Sequence, residues 1–351
     1  MERHQPLQPE LPWCYNATGD GKDIAATTLV DWIAAGKNVL DRDASLILLG
    51  GEPMLRPRQL AACVTHARDF LTSEILVSTN GTVYDEAAAC ALRDSRTTVQ
   101  VSIDHPKAAG HDAIRGRGVF DLATETARKF ARKGIATVLS MVLTDGAESL
   151  IEDYFDLALE LGVAEVRFIP MRQIGLGIAQ SEKLPDLYGC FQTLVSLLDR
   201  RPELSEMLKR DFFSILMTVC SRSRQRDNCG IGRRVIFVDS DGDVYPCPNH
   251  RSDANRMGNI ADKPLLTMWS DSSILADLRD SSVVDCLSQC RTCTFRHWCA
   301  GDCRAEARSV GSPDGPSPYC GQIQRIIKEM LWQLAAGQAT LPTDQSDSAI
   351  C

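Results

Sequence analysis

The spacing of the cysteines constrains the fold of this chain more than any other feature of the sequence. Cys229 and Cys247 enclose a glycine as C-x12-G-x4-C, and five further cysteines follow from Cys290 to Cys320 as C-x2-C-x5-C-x3-C-x16-C. Nine of the fourteen cysteines lie between positions 220 and 320. Cysteines clustered in this way in a reducing compartment serve metal or redox chemistry more readily than disulfides. The spacing therefore predicts a segment whose folding depends on bound metal.

The composition is typical of a globular protein with a small partner. The 351 residues are 44% apolar and 24% charged, which permits one large domain and a smaller one. The net charge of -8 provides no basic surface for nucleic acid or an anionic membrane. The sequence contains no apolar run long enough for a signal peptide or a membrane span. We therefore expect a cytoplasmic protein that acts on a peptide or a small molecule.

The first half of the chain alternates short β-rich runs with amphipathic helical stretches, which is typical of βα units around a parallel sheet. The predicted strands span residues 45–49, 74–78, 98–102, 136–143 and 166–169. Apolar residues recur at helical spacing between these strands. The predicted helices span residues 56–70, 85–92, 120–133 and 151–161.

The pattern changes twice after the last of these strands. Residues 180–220 are mostly helical, and from position 228 onward short strands, turns and cysteines replace them. Within this last part, the run VIFVDSDGDVYPC predicts a hairpin closed by Asp241 and Gly242. We therefore predict four parts, which are an α/β domain over residues 1–178, a helical connector over 179–220, a cysteine-rich domain over 221–335 and a disordered tail over 336–351.

Four of the predicted strands end in short polar or glycine-rich runs, at the edge where parallel βα folds collect their ligands. In chain order these runs are LLGGEP, VSTNG, VSID and RFIP. Together and in this order they resemble the SAM-binding set of the radical S-adenosylmethionine (SAM) enzymes. The resemblance implies an α/β fold built as a partial (β/α)6 TIM-like barrel, here lacking its first strand. It also implies contacts to SAM from Trp13, Gly50, Gly51, Glu52, Ser78, Asn80, Ser102, Asp104, Arg115 and Ile169.

These residue types suit SAM chemically. The two glycines let backbone carbonyls approach the methionine amino group, and Glu52, Ser102 and Asp104 can satisfy amine and ribose hydroxyl groups. The carboxylate of SAM needs a cation. Arg115 lies in the run HDAIRGRGVF, which is similar to the segment that supplies an arginine to that carboxylate in relatives with an auxiliary-cluster domain.

The cysteine pattern resembles the SPASM domain of these enzymes at all seven of its positions. In that family the cysteines interleave to hold two auxiliary 4Fe-4S clusters. The resemblance assigns to the first cluster Cys229, Cys247 and Cys303, and to the second Cys290, Cys293, Cys299 and Cys320. Cys220 is the candidate for a further ligand of the first cluster, and Cys286 is either its substitute or unliganded. Zinc ribbons also use paired C-x2-C sites, so zinc remains the alternative metal.

The loop for the reactive cluster is incomplete. Radical SAM enzymes hold that 4Fe-4S cluster with a C-x3-C-x2-C motif, which leaves one iron for SAM. Cys14 matches the third cysteine, while Leu7 and Leu11 stand at the other two positions. A leucine side chain has no atom that can ligate iron, so the chain as written cannot form the three-cysteine cage.

Two explanations of the missing cysteines stay open. In one, a single base has been lost near Pro12. One permitted coding of residues 1–14, read one base later with one C restored in the Pro12 codon, encodes Trp-Ser-Ala-Thr-Asn-Arg-Cys-Asn-Leu-Ser-Cys-Pro-Trp-Cys in register with Cys14. In the other, the chain is a pseudoenzyme on an old scaffold. We favour the frameshift, because a chain without chemistry has no evident reason to keep the whole SAM-binding set, and resequencing through codon 12 decides between them.

The resemblance also implies a reaction. Intact members of the family cleave SAM reductively to a 5'-deoxyadenosyl radical, with an electron from a reducing partner such as flavodoxin or ferredoxin. Relatives with a SPASM domain mostly modify peptides, which implies a peptide-modifying enzyme of ribosomal natural product maturation. Pro248 follows Cys247 where sulfatase-maturing relatives carry an acidic residue, which argues against that activity. The alternatives are a sugar or cyclitol dehydrogenase and a non-catalytic iron-sulfur module that binds a peptide.

Overall fold

The computed structural model describes residues 11–14, 24–222 and 226–342 of the chain. Its first half is built around five parallel strands that are hydrogen-bonded to one another in chain order. These strands are β1 (Leu46–Leu48), β2 (Ile75–Thr79), β3 (Thr98–Ser102), β4 (Thr137–Leu143) and β5 (Glu165–Pro170). All five predicted strands are present with ends displaced by at most one residue, and the predicted partial α/β barrel is confirmed.

Helices separate successive strands, as parallel pairing requires. They are α2 (Pro57–Arg68), α3 (Glu86–Asp94), α4 (Ala108–Arg115), α5 (Val119–Arg132) and α6 (Ile151–Leu161), and one more helix, α1 (Ala26–Gly36), precedes β1. Four of them match the predicted helices, whereas α1 and α4 lie outside the predicted set. Helix α4 has only eight residues and contains Gly110, His111 and Asp112, which are weak helix formers. The sequence of α4 therefore does little to indicate a helix.

The two faces of the sheet differ in burial, because successive side chains of a strand point to opposite sides. On β3, Val99 and Val101 are fully buried in a core that also contains residues of α5, whereas Gln100 and Ser102 are half-buried. The strand register places Ser78 of β2 beside Gln100. One face of the sheet therefore packs on helices, and the other, which we call the inner face, carries polar side chains.

In the described part of the chain after the barrel there are seven α-helices. They are α7 (Leu187–Arg200), α8 (Phe212–Ser221), α9 (Leu265–Asp271), α10 (Ser273–Ser281), α11 (Arg296–Cys299), α12 (Arg304–Ser309) and α13 (Cys320–Ala335). Helix α13 packs against α7 and α8, and its Ile323 and Ile327 are buried in the same core as the barrel. The cysteine-rich part of the chain therefore ends in a helix that is anchored to the barrel. Among the residues described, none of the helices has the length and apolar content that crossing a membrane requires.

The cysteine-rich part begins with a small antiparallel sheet that includes the predicted hairpin. Its strands are β6 (Phe237–Val238), β7 (Asp243–Tyr245) and β8 (Gly258–Asn259). The turn between β6 and β7 contains Gly242 at φ 83°, a left-handed conformation that glycine adopts without strain. The Asp239 side chain accepts the N–H groups of Asp241 and Asp243 across the turn. The hairpin is therefore closed where the sequence predicts.

Candidate cofactor and cluster site

Glu52 ties the carboxyl ends of β1 and β2 together. Its Oε1 accepts hydrogen bonds from the Met54 N–H at 2.9 Å and from the Thr79 hydroxyl at 2.6 Å. Its Oε2 accepts one from the Asn80 N–H at 2.7 Å. A carboxylate offers about four lone-pair sites, so one site remains for a ligand amine. Glu52, a predicted SAM contact, therefore also stabilises the fold at the ends of these two strands.

Asn80 places an unsatisfied donor beside Glu52. Its Oδ1 accepts the Thr82 N–H at 2.7 Å, but its Nδ2 is buried and has no hydrogen-bond partner in the part of the chain that the structure describes. A Cβ at Gly50 or Gly51 would meet no atom within 4 Å, so the loop before Glu52 leaves open space. Because buried amide donors are normally paired, this arrangement suits a ligand that brings an acceptor.

Asp104 and Arg115 form a buried ion pair beyond the end of β3. The Arg115 Nε donates to the Asp104 Oδ2 at 2.6 Å, and the Val142 N–H donates to the Oδ1 at 3.2 Å. The two terminal Nη atoms of Arg115 make no hydrogen bond to the residues within the described ranges. Arg115 is thus held in place through one nitrogen and keeps the other two for an anion.

His111 supports Asp104 from α4 and was not among the predicted site residues. Its Nδ1 accepts the Asp104 N–H at 3.1 Å, so the neutral ring carries its proton on Nε2. Burial, followed by the positive charge of Arg115, lowers the pKa of His111 to about 4. Both His111 Nε2 and the Tyr154 hydroxyl are buried without a partner among the described residues. The sequence signal for His111 was its place in the same run as Arg115.

Three further predicted SAM contacts lie on the inner face of the sheet. Ser78 and Ser102 are half-buried at the carboxyl ends of β2 and β3. Ile169 of β5 stands beside Val142 of β4 and is 39% exposed. The inner face therefore offers hydroxyl groups and an apolar surface, which is the mixture that small-molecule sites use.

Residues 11–14 lie against the chain that follows β5. The Leu176 N–H donates to the Cys14 carbonyl at 3.0 Å, and the Cys14 N–H donates to the Leu11 carbonyl at 2.9 Å. The Trp13 Nε1 is buried and has no hydrogen-bond partner within the described ranges. Cys14 and Trp13 therefore stand near the carboxyl edge of the sheet, on the side of β5.

The residues present do not fit the three-cysteine cage of a reactive cluster. Cys14 is near the carboxyl edge, but Leu11 contributes an alkyl side chain. Leu7 lies outside the described residues. One thiol of the expected three is therefore available in the chain as written.

Cys229, Cys247 and Cys303 are neighbours, and we call them the first thiol group. Burial, followed by the Cys303 and Cys229 thiols, raises the pKa of Cys247 to about 12. Burial, with a smaller contribution from Cys229, raises the pKa of Cys303 to about 11 against the opposing charge of Arg172. The Asn249 Nδ2 donates to the Cys303 Sγ at 3.9 Å. The three cysteines are half-buried and lie close to one another.

Cys290, Cys293, Cys299 and Cys320 form the second thiol group. Burial, with smaller contributions from Cys290 and Cys320, raises the pKa of Cys299 to about 12. Burial, followed by Cys290 and Cys293, also raises the pKa of Cys320. The Gln324 Nε2 donates to the Sγ of Cys320 at 3.3 Å and of Cys293 at 3.6 Å. Gln324 was missed from the sequence, although its place one helical turn after Cys320 was a usable signal.

The structure brings together the cysteines that the resemblance assigns to each of the two clusters. Thiols that alter one another's pKa belong to the same group, and the seven cysteines of the two groups form no disulfide. Within the described residues, no three histidine, cysteine or acidic side chains are grouped to hold a single metal ion. Donor sets made only of thiolates suit iron-sulfur clusters.

Cys220 and Cys286 differ from both thiol groups. Cys220 lies on α8 in the main core, where burial raises the pKa of its thiol to about 12 against the opposing charge of Arg226. Cys286 is exposed. Neither cysteine alters the pKa of a thiol in the two groups, as far as the described residues show.

Comparison with known proteins gives matches over both halves of the chain. The family model of the radical SAM superfamily matches residues 12–158, and the SPASM model, an iron-sulfur cluster-binding domain, matches residues 229–294. Mycofactocin maturase MftC of Mycobacterium tuberculosis is 31% identical over 283 residues, which cover 78% of this chain and 69% of that protein.

Solved structures match the fold over most of its length. The structure titled native anSMEcpe with bound AdoMet has a TM-score of 0.73 and 18% identity, and the match covers 94% of this chain and 95% of the other. Streptococcus suis SuiB bound to precursor peptide SuiA has a TM-score of 0.67 and 17% identity, with 87% of this chain and 71% of the other covered. At these identities the two structures establish a shared fold.

Proposed function

The chain belongs to the radical SAM superfamily and carries a SPASM iron-sulfur domain, and from that premise we propose that it is a peptide-modifying maturase. The observation that carries the proposal is the division of seven cysteines into two thiol groups on a domain anchored to an α/β barrel. The relative MftC is named a maturase, and SuiB was solved with a precursor peptide. Both facts support a peptide as the substrate of this chain.

The proposed SAM site is the carboxyl edge of β1 to β5. Asn80 Nδ2 would donate to SAM, the free Nη atoms of Arg115 would bind its carboxylate, and the remaining lone pair of Glu52 would accept from its amine. Ile169 offers apolar surface for the adenine. Each of these roles uses a group that the fold leaves unsatisfied or exposed.

The two thiol groups are the proposed holders of the two auxiliary 4Fe-4S clusters. Such clusters, when bound, transfer single electrons. The chain itself partly buries the thiols and directs the amides of Asn249 and Gln324 at the sulfur atoms, which tunes a cluster through its surroundings. Cys220 stays the proposed fourth ligand of the first cluster on its position in the sequence, and Cys220→Ser is the variant that tests it.

Metal analysis tests the cluster assignment directly. Protein purified without oxygen should be brown and should contain about eight iron and eight sulfide per chain from its auxiliary clusters. Replacing Cys303 should remove the iron of one cluster, while replacing Cys63, a buried cysteine in the barrel core, should leave the iron content unchanged. A colourless protein with stoichiometric zinc would overturn the assignment.

Cleavage of SAM tests the enzyme proposal. When held by three cysteines, the reactive cluster supplies the electron for that cleavage. Because only Cys14 of the three is present, we expect no 5'-deoxyadenosine from the chain as written after anaerobic reconstitution and reduction with dithionite. The Leu7→Cys/Leu11→Cys variant and a frame-repaired chain should both release it.

A matched control separates cluster chemistry from a side reaction. Adding Cys14→Ser to the Leu7→Cys/Leu11→Cys variant should abolish 5'-deoxyadenosine release while leaving the iron of the two auxiliary clusters in place. A repaired chain that carries its clusters and binds SAM, yet leaves SAM intact, would contradict the maturase and favour the non-catalytic peptide-binding module.

The substrate and the electron donor remain parts of the proposal. Incubation of the repaired chain with a short peptide encoded beside its gene should give a peptide of altered mass, with flavodoxin or ferredoxin replacing dithionite as reductant. Turnover of a sugar or cyclitol with no change in any peptide would favour the small-molecule dehydrogenase instead.

A further inference from the structure

A largely buried ionic network joins the chain after β5 to the start of α12. The Arg172 guanidinium forms a two-pronged ion pair with Asp302, Nη1 to Oδ2 at 2.7 Å and Nη2 to Oδ1 at 2.9 Å. The same Nη1 donates to the Glu306 Oε2 at 2.8 Å, and the Gln173 N–H donates to the other oxygen of Glu306, also at 2.8 Å. The Glu306 side chain is fully buried. We call Arg172, Asp302 and Glu306 the ionic network.

Further contacts hold the ionic network from the side of the last helix. The Ser317 hydroxyl donates to the Asp302 Oδ2 at 2.7 Å. The Tyr319 hydroxyl donates to the Met171 carbonyl, and the Arg172 guanidinium lies over the Tyr319 ring at 5.3 Å from its centre. Three segments that are distant in the sequence therefore meet at Arg172.

The loop that carries Asp302 has an unfavourable backbone. Ala300, Gly301 and Asp302 have φ values of 55°, 76° and 51°, so three left-handed residues follow one another. A Cβ is sterically crowded in this region, and two of the three residues carry one. The loop needs stabilisation from outside itself, and the two-pronged ion pair with Arg172 provides it.

This loop lies where the two thiol groups meet. Cys299 of the second thiol group comes just before it, and Cys303 of the first thiol group comes directly after it. Arg172 is close enough to Cys303 to lower the pKa of that thiol against the effect of burial. On the barrel side, the same chain continues to Leu176, whose N–H binds the Cys14 carbonyl. The ionic network therefore borders both thiol groups, and it lies on the same segment that contacts Cys14.

We propose that Arg172, Asp302 and Glu306 are positioning residues. They hold the auxiliary clusters against the proposed SAM site at the carboxyl edge of the sheet, and they set the reduction potential of the first auxiliary cluster. This inference rests on the proposed function, because it requires iron-sulfur clusters on the thiol groups. Reduction adds one negative charge to a cluster, so a nearby cation favours the reduced form and a nearby anion favours the oxidised form. Arg172 thus raises the potential, and the two carboxylates lower it.

Charge substitutions within the ionic network should shift the potential in opposite directions. Asp302→Asn removes an anion with little change of shape and should raise the potential of the first auxiliary cluster. Arg172→Gln removes the cation and should lower it. Each change should alter the equilibrium constant for reduction about tenfold, which is about 59 mV for a one-electron couple. The combined variant should return close to the parent value, since both charges are gone.

The measurement is a redox titration followed by electron paramagnetic resonance on the full chain with reconstituted auxiliary clusters, with iron and sulfide counted in every sample. Glu306→Gln keeps its shape and should also raise the potential, which gives a second reading if Arg172→Gln does not fold. The control is Glu152→Gln in the exposed ion pair with Arg200, which should leave the potential unchanged. A merely structural role cannot produce shifts of opposite sign.

Two results separate the failure of this inference from the failure of the proposed function. Variants that keep their iron but show no shift, or shifts of one sign, would overturn the role of the ionic network alone. A parent chain without iron and sulfide would overturn the proposed function and this inference with it.

Discussion

Replacing His111 with asparagine should remove one source of the sensitivity of this fold to mild acid. The ring is buried, and its Nδ1 accepts the Asp104 N–H at 3.1 Å. Burial, followed by the charge of Arg115, lowers the pKa of His111 from 6.5 to about 4. The unfolded chain therefore binds a proton that the folded chain excludes. Stability is lost as the pH falls from about 6.5 towards 4, and it is unaffected by this group above that range.

The size of the effect follows from the two pKa values. At pH 7 the imidazole is mostly neutral in both states, so it contributes little difference. At pH 5 the unfolded imidazole is almost fully protonated while the folded one is mostly neutral, which destabilises the fold by about 2 kcal/mol relative to pH 7. Such a loss is a large share of the free energy of unfolding of an ordinary domain.

Urea unfolding at pH 7 and at pH 5 measures this difference for the parent and for His111→Asn. The asparagine Oδ1 can accept the hydrogen bond that Nδ1 accepts, although the smaller side chain leaves a cavity that lowers stability at both pH values. The informative quantity is therefore the loss between the two pH values, which should be about 2 kcal/mol smaller in the variant. Equal losses would refute the description of His111 as a buried neutral base that supports Asp104.

Three further predictions concern single groups in the site and the barrel. Asn80→Asp keeps the acceptor for the Thr82 N–H but removes the buried donor Nδ2. The affinity for SAM, measured by equilibrium dialysis, should therefore fall about tenfold. An unchanged affinity would show that Asn80 is not part of the SAM site. Gln324→Leu removes two N–H···S hydrogen bonds and should lower the potential of the second auxiliary cluster, with the first cluster as internal reference. Gly81→Ala places a Cβ 2.9 Å from a backbone atom at φ 73°, whereas Gly146→Ala meets nothing within 4 Å at φ 76°. Thermal unfolding should show Gly81→Ala to be the more damaging by about 1–3 kcal/mol, and equal losses would show that the barrel has room there.

The strands of the barrel could be predicted from the sequence because they carry a short-range signal. On β3, Val99 and Val101 are fully buried and alternate with half-buried polar residues. Helix α1 carried a misleading signal, since Thr27, Thr28 and Val30 are β-branched and favour strands. It forms because it packs against α2, which is a tertiary contact that no local pattern records.

The thiol groups could be predicted from the sequence, whereas the ionic network could not. The two sets of cysteines interleave in the sequence, and the resemblance of their spacing to the SPASM pattern is what assigns them to two clusters. Arg172 and Asp302 are 130 residues apart, and each is one charged residue among many. Only burial and the left-handed backbone at Asp302 distinguish this pair from the surface ion pairs of the same chain.

The residues of the proposed SAM site differ in whether the fold itself needs them. This difference bears on how the chain came to lack two cysteines. Glu52 and Asp104 accept hydrogen bonds from neighbouring strands and from Arg115, so the fold needs them whether or not SAM binds. Their presence therefore favours neither explanation. The Asn80 Nδ2 and the Trp13 Nε1 are buried donors without a partner in the described residues, and each such group costs about 1–3 kcal/mol unless a ligand accepts from it. A pseudoenzyme that never meets SAM would gain stability by losing them, so these two side chains are the ones that favour a frameshifted enzyme.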